Sequence, residues 1–302
     1  MISRAQSVAP SGYTITDNVN LVLLDVSVKN SAGNYVQGLG QGNFHVAEDG
    51  RSRTITHFAN MDAPVTVGLV IDNSGSMRLK RAQVVTAGLA FARESNPHDQ
   101  FFVVNFNDGI HFGLPSPLAF TDQLQTLRSA LYYGKPAGQT ALYDATAAAL
   151  HHLEASTRDK RTLIIVSDGG DNVSRTSLGE VLAMAQASRA TIYSVGLLDP
   201  DDRDLNPKVL KKLSAVTGGE FLQPQTSEEV MGAFHRICRD VRSRYSIGYV
   251  PALEGNRRFV HKVKVTAKDP DGRKLSVLTR TSYTTALTEQ FATAQQSEGR
   301  PR

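Results

Sequence analysis

The stretch Val65-Thr66-Val67-Gly68-Leu69-Val70-Ile71-Asp72-Asn73-Ser74-Gly75-Ser76-Met77 joins an apolar run to an abrupt polar turn. Such a run, without strict alternation, suits a strand covered on both faces. The chain then presents Asp72, Ser74 and Ser76 at alternate positions. In an open α/β sheet the carboxyl ends of the strands line the ligand crevice, where the strand order reverses. One carboxylate and two hydroxyls placed there can converge on a hard cation. Mg²⁺ takes oxygen ligands at about 2.0–2.1 Å and keeps several waters, so a site with few carboxylates suits it. Gly75 lets the backbone turn tightly between the two serines.

Similar apolar runs recur at Phe101–Phe106, Leu163–Val166 and Ile192–Val195. Between them lie helical spacings: Val84, Leu89 and Phe91; the stretch Ala141 to Leu153; and Leu178, Leu182 and Ala185. A last helix is predicted with Val230, Phe234, Ile237 and Val241 on one face, and Cys238 beside them as a small buried apolar residue. This alternation predicts a doubly wound, mostly parallel α/β sheet over residues 62–240.

The flanks read differently. Leu24, Val26 and Val28 alternate with Asp25, Ser27 and Lys29, the period of a half-buried strand. Asp49-Gly50 is a hairpin signal. Tyr245, Ile247 and Tyr249 alternate; so do Phe259, Val263 and Val265, and then Leu275 and Val277 after an Asp-Pro-Asp-Gly turn. About four strands in 18–60 and three in 242–285 make the complement of a small immunoglobulin-like β-sandwich, with the central domain inserted in it or flanked by it. Residues 1–17 are expected to be disordered or processed, and 286–302 a disordered tail.

Composition narrows the class. With 302 residues, 40% hydrophobic and 21% charged, the chain excludes wholesale disorder, collagen and coiled coil. No apolar run approaches the roughly 20 residues of a membrane span. A single cysteine excludes an intrachain disulfide framework and a Cys-rich zinc site. The net charge of +4 is uneven, +7 on residues 241–302 against −3 before them. Those cations alternate with apolar residues, as on the wet face of a sheet, and no nucleic-acid motif accompanies them. Nucleic acid is therefore not expected as a partner. The N-terminus shows no signal peptide as written, which fits either a cytoplasmic protein or a chain that starts after a removed export segment.

Two further pieces fall where a cation site would need them. Gly138-Gln139-Thr140-Ala141-Leu142 precedes a helix, and Thr140 offers either a hydroxyl ligand or a helix N-cap. Leu163–Val166 leads into Ser167-Asp168-Gly169-Gly170-Asp171, a second buried strand ending in a carboxylate. Together these residues resemble the von Willebrand factor A (VWA) domain and its metal-ion-dependent adhesion site, MIDAS. Asp72, Ser74, Ser76, Thr140 and Asp168 match that pattern in type and order. The resemblance implies that Ser74, Ser76 and Thr140 touch the metal directly, and that Asp72 and Asp168 act directly or through water. Mg²⁺ is the implied cation, with Mn²⁺ or Ca²⁺ as substitutes. Asn73, Gly75 and Asp171 are candidates for a supporting or partner-facing role. The flanks, including Asn43–Gly50 and Tyr245-Ser246-Ile247-Gly248-Tyr249, are similar to the acidobacterial-type VWFA-related proteins, whose members are commonly exported. That implies a periplasmic or secreted protein.

Competing motifs fail their context. Ser74 lies in no G-x-S-x-G elbow, and Asp72-Asn73-Ser74 lacks the second acid of aspartyl-nucleophile phosphatases. His151 and His152 diverge by about 100° on a helix and read as surface residues. Gly38–Gly42 leads into a strand, so it reads as a turn and not a phosphate loop. Asn172-Val173-Ser174 fits a glycosylation triplet that chance often produces. The expected function is a divalent-metal-dependent protein-binding or adhesion module that receives an Asp or Glu carboxylate from a partner, and not an enzyme. The alternative is a metal-dependent hydrolase of phosphoesters or peptides using the same cation, which would also need an acid or base beside it.

Overall fold

The structure, a computed structural model, describes residues 21–60, 62–198, 206–251 and 260–284. The expectations for 1–17 and 286–302, and the strand position of Phe259, lie outside the described residues. In chain order, four strands come first: β1 (Val22–Lys29), β2 (Phe44–Glu48), β3 (Arg51–Arg53) and β4 (Ile55–Ala59). The central part follows as β5 (Val65–Asp72), α1 (Arg81–Glu94), β6 (Gln100–Phe106), β7 (Ile110–Phe112), α2 (Leu124–Leu131), α3 (Leu142–His152), β8 (Lys160–Ser167), α4 (Leu178–Ala187), β9 (Thr191–Gly196), α5 (Pro207–Thr217), β10 (Phe221–Leu222) and α6 (Ser227–Ser243). Four strands close the chain: β11 (Tyr245–Tyr249), β12 (Val260–Lys268), β13 (Lys274–Leu278) and β14 (Ser282–Thr284).

The central sheet runs β10-β9-β8-β5-β6-β7. All its pairs are parallel except β6 with β7. Every residue of β5 is buried, because helices cover both faces. Val65, Val67, Leu69 and Ile71 pack with α1, α2 and α6 through Val84, Phe91, Leu127, Phe234 and Ile237. Val70, Phe102 and Val104 pack on the other side with α3, α4 and α5 through Leu142, Val181 and Leu210. Cys238 is buried in the first of these cores. The first strand, β5, has β8 on one side and β6 on the other, so the order reverses at its carboxyl end. That reversal positions the site.

The outer strands form a second sheet, ordered β3-β2-β12-β13-β1-β11-β4, with β14 added on β12. Strands from the two ends of the chain pair directly: Leu24 lies opposite Ile247, Val28 opposite Val277, and Val46 opposite Val265. The expected seven strands in two facing sheets are instead seven strands on one connected antiparallel path, with β14 as an eighth strand beside β12. Two features account for the difference. β1 switches partners midway, from β11 at Val22–Val26 to β13 at Ser27–Lys29. β3 and β4, separated only by Thr54, sit at opposite ends of the path, so the sheet folds back on itself. The Asp49-Gly50 turn has positive φ at both residues, 49° and 82°, as a type I′ hairpin requires. Phe44, Phe58 and Tyr245 stack inside this sheet, with ring centroids 4.9–5.9 Å apart.

The two sheets are joined by a buried polar network. Arg244, between α6 and β11, donates to Asp240 Oδ2 at 2.9 Å, to the Gly218 carbonyl at 2.8 Å and to the Asp25 carbonyl at 3.3 Å. Tyr193 of β9 donates its hydroxyl to the same Asp240 oxygen at 2.6 Å. Nearby, Lys29 and Arg236 both bind Glu220.

Candidate metal site

β5 and β8 deliver Asp72 and Asp168 side by side because they are adjacent parallel strands in register, Ile71 opposite Val166. Asp72 is fully buried. Its Oδ1 accepts the Ser74 backbone N–H at 2.8 Å, and its Oδ2 accepts the Ser167 hydroxyl at 2.6 Å. Ser76 donates to Asp168 Oδ2 at 2.6 Å and lies 3.1 Å from the Ser74 hydroxyl. Asp168 Oδ1 accepts the Gly170 N–H at 3.1 Å. Asp72, Ser74, Ser76 and Asp168 are thus linked by hydrogen bonds within one cluster.

The Thr140 loop is tied by its backbone to both loops that carry the cluster. Gly75 N–H donates to the Gly138 carbonyl at 3.2 Å, which ties the Thr140 loop to the serine turn. Thr140 N–H donates to Asn172 Oδ1 at 2.9 Å, and Asn172 N–H returns to the Thr140 carbonyl at 3.0 Å, which ties it to the Asp168 loop. The N-cap of α3 is Ala141, so Thr140 is not spent on capping. Gly138 has φ of +79°, and a Cβ there would lie 1.7 Å from Asp108 Oδ2. Only glycine fits that loop as built.

The supporting candidates part company. Asn73 faces away from the hydroxyls; it accepts from Arg81 and donates to the Tyr133 carbonyl at 3.2 Å. Asp171 Oδ2 accepts the Tyr143 N–H at 2.8 Å and the Ser174 hydroxyl at 2.6 Å, so it holds the N-terminus of α3. Sequence reasoning missed Ser167 and Asn172. Ser167 was legible in principle, since the last residue of β8 faces the same crevice as its neighbour Asp168. His151 is an exposed partner of Glu154, as expected. His152 is not a plain surface residue: it stacks on Phe102 with centroids 4.6 Å apart and binds the Ala119 carbonyl.

Electrostatics follow from the packing. Burial, together with the Asp168 carboxylate, pushes the Asp72 carboxyl up to about 6, against the hydrogen bonds from Ser167 and Ser74. Two neighbouring carboxylates with three hydroxyls around them form an all-oxygen donor set of the kind hard cations take. Among the described residues no group of three or more His, Cys, Asp or Glu side chains gathers as a metal site. The set suits a cation that depends on hydroxyls as much as on charge.

Fold and motif define a class. Residues 67–170 match the family model of the von Willebrand factor type A domain. A solved structure described as von Willebrand factor type A from Catenulispora acidiphila is similar at TM-score 0.53 and 15% identity, covering 89% of this chain and 74% of that one. The vWF domain of the type V pilus tip protein Mfa5 from Porphyromonas gingivalis is similar at TM-score 0.50 and 16% identity, covering 59% and 95%. The pilus adhesin SpaC from Lactobacillus rhamnosus GG, in its open conformation, is similar at TM-score 0.50 and 10% identity, covering 83% of this chain and 49% of that one. At these identities the likeness is one of fold. No curated protein matches the chain in sequence.

Proposed function

We propose that the chain is a protein-interaction module whose binding depends on a divalent cation, Mg²⁺ or in its place Mn²⁺ or Ca²⁺, held by Asp72, Ser74, Ser76, Thr140 and Asp168. The observation that carries this reading is the bonded chain Ser74–Ser76–Asp168, which draws hydroxyls and a carboxylate from two separate loops to one point. A bound cation there supplies an open coordination position for an Asp or Glu carboxylate of a partner. The three hydroxyls are neutral, weakly donating ligands, so a partner's carboxylate is a better ligand than water for the remaining coordination position.

The chain's own residues do the positioning. Ser167 and the Ser74 N–H fix both oxygens of Asp72. The Gly170 N–H fixes Asp168, and Asn172 fixes the backbone of Thr140. Strands β1–β4 and β11–β14 form the platform on which the central sheet and its helices are carried. The similarity in fold to a pilus tip protein and a pilus adhesin is in keeping with adhesion and with an extracytoplasmic location. No helix among the described residues is long and apolar enough to cross a membrane.

Hydrolysis is the second reading. It needs an acid or base beside the cation, and the side chains bonded to Asp72 and Asp168 are serine hydroxyls. The test is a pull-down from the native organism with Mg²⁺ and again with chelator, run beside a phosphatase and esterase panel. Binding predicts partners that are lost on chelation. Metal-dependent turnover that disappears in Asp72→Ala or Asp168→Ala overturns it.

A further inference from the structure

Beside the serine turn, where Asn73 forms part of its wall, lies a cavity of about 380 Å³ lined also by Asn105, Asn107, His111, Tyr133 and Lys135 among others. No acidic residue lines it. Behind its wall sits Arg81, whose guanidinium is buried and bonded only to neutral acceptors. These are Asn73 Oδ1, Asn105 Oδ1 at 3.2 Å, and the carbonyls of Leu131 at 2.6 Å and Tyr133 at 3.0 Å. No described carboxylate pairs with it, and burial alone lowers its pKa to about 10. The negative end of α2 offsets part of this charge, because the two carbonyls belong to the last turn of α2 and the loop after it. A net positive field remains, transmitted through the Asn73 and Asn105 side chains.

The cavity also has donors to spare. An asparagine amide carries two hydrogens. Asn73 uses one on the Tyr133 carbonyl, and Asn107 uses one on the Ala137 carbonyl at 3.1 Å. At the mouth, Lys135 is exposed and has no partner among the described residues. His111 stands 6.1 Å from the Tyr133 ring. The nearest acid in sequence, Asp108, is engaged by the Gln139 N–H at 3.1 Å. A polar cavity with an unpaired buried guanidinium behind its wall, spare amide donors on it, and His111 and Lys135 at its rim is suited to a carboxylate.

We propose that this cavity is a carboxylate-binding subsite, which takes an acidic side chain of a partner polypeptide next to the candidate metal site. The inference rests on the interaction reading only for the source of the carboxylate. Together the two sites fit a partner segment with two acidic residues close in sequence, one for the cation and one for the cavity.

The test uses the full chain stripped of divalent cations on a chelating resin and kept in metal-free buffer, so the cation takes no part and a failure here is separate from a failure of the metal site. N-acetylglutamate α-amide is titrated against the ¹⁵N-labelled protein, with N-acetylglutamine α-amide as the neutral control and inorganic phosphate as a competing anion. The side-chain amides of Asn73 and Asn107 shift saturably with the acid and not with the amide. Affinity falls about tenfold or more in the His111→Ala/Lys135→Ala double variant, as loss of a charge-assisted hydrogen bond requires. Both positions are exposed, so the fold survives. The proposal is overturned by no saturable shift, equal response to the neutral amide, tighter binding of phosphate, or undiminished affinity in the double variant.

Discussion

Ser76 donates its hydroxyl to Asp168 Oδ2 at 2.6 Å across 92 residues of sequence. The contact exists because β5 and β8 are neighbours in the sheet although three helices, α1, α2 and α3, and two strands, β6 and β7, separate them along the chain. It links the serine turn after β5 to the carboxyl end of β8.

The strand that carries the serine turn tolerates no added volume. A Cβ at Gly68 would stand 2.3 Å from Phe102 Cζ and 2.5 Å from Leu163 Cδ2. Gly68→Ala is expected to cost about 1–3 kcal/mol through overpacking. Chemical denaturation of the variant checks it; an unchanged midpoint would mean that the two neighbours give way freely.

The junction of the two sheets depends on Asp240 and Arg244. Burial works to raise the Asp240 carboxyl, yet Arg244 foremost, with Ser27 and Tyr193, holds it below its ordinary value near 3.8. A depressed carboxylate contributes stability that is present above its unfolded value and lost as pH falls through its folded one. Stability from this group is therefore constant from neutral pH down to about 4 and declines below that. Asp240→Asn strips the pair of its anion and is expected to cost about 3–5 kcal/mol at neutral pH. Urea melts of both proteins at pH 7 and at pH 3 should show the gap narrowing in acid.

Thr140→Ala separates binding from folding. The backbone bonds between Thr140 and Asn172 survive the change, and removing the γ-methyl and hydroxyl alters stability by no more than about 1 kcal/mol. Partner affinity in Mg²⁺ should fall by about 1.5–3 kcal/mol if the hydroxyl serves the cation. A variant that melts normally and binds normally would remove Thr140 from the site.

Much of this was legible in sequence for one reason. Buried parallel strands need unbroken apolar runs, so Val65–Ile71 and Leu163–Val166 announced themselves, and each ended in a polar residue at the crevice. The Asp49-Gly50 hairpin was equally plain, because few residue pairs accept positive φ twice. What stayed hidden were partnerships set by distant chain segments. Nothing local to Arg244 indicates Asp25 or Gly218, and nothing near Arg81 indicates the carbonyls after α2. The short strands β7 and β14 carry too few apolar positions for a period to emerge. Helix α2 does keep a helical spacing, with Leu124, Leu127 and Leu131 on one face, but at eight residues it is too short to stand out from a loop. The closure of the outer sheet was hidden too, since β1 divides itself between two partners without any break in its alternation.

The central claim is a cation held by Asp72, Ser74, Ser76, Thr140 and Asp168. Isothermal titration calorimetry of the chelator-stripped chain with Mg²⁺ and with Mn²⁺ tests it most directly. The account predicts saturation near one equivalent in the wild type and none in Asp72→Ala. Binding that is absent from the wild type, or that persists unchanged in Asp72→Ala, would contradict it.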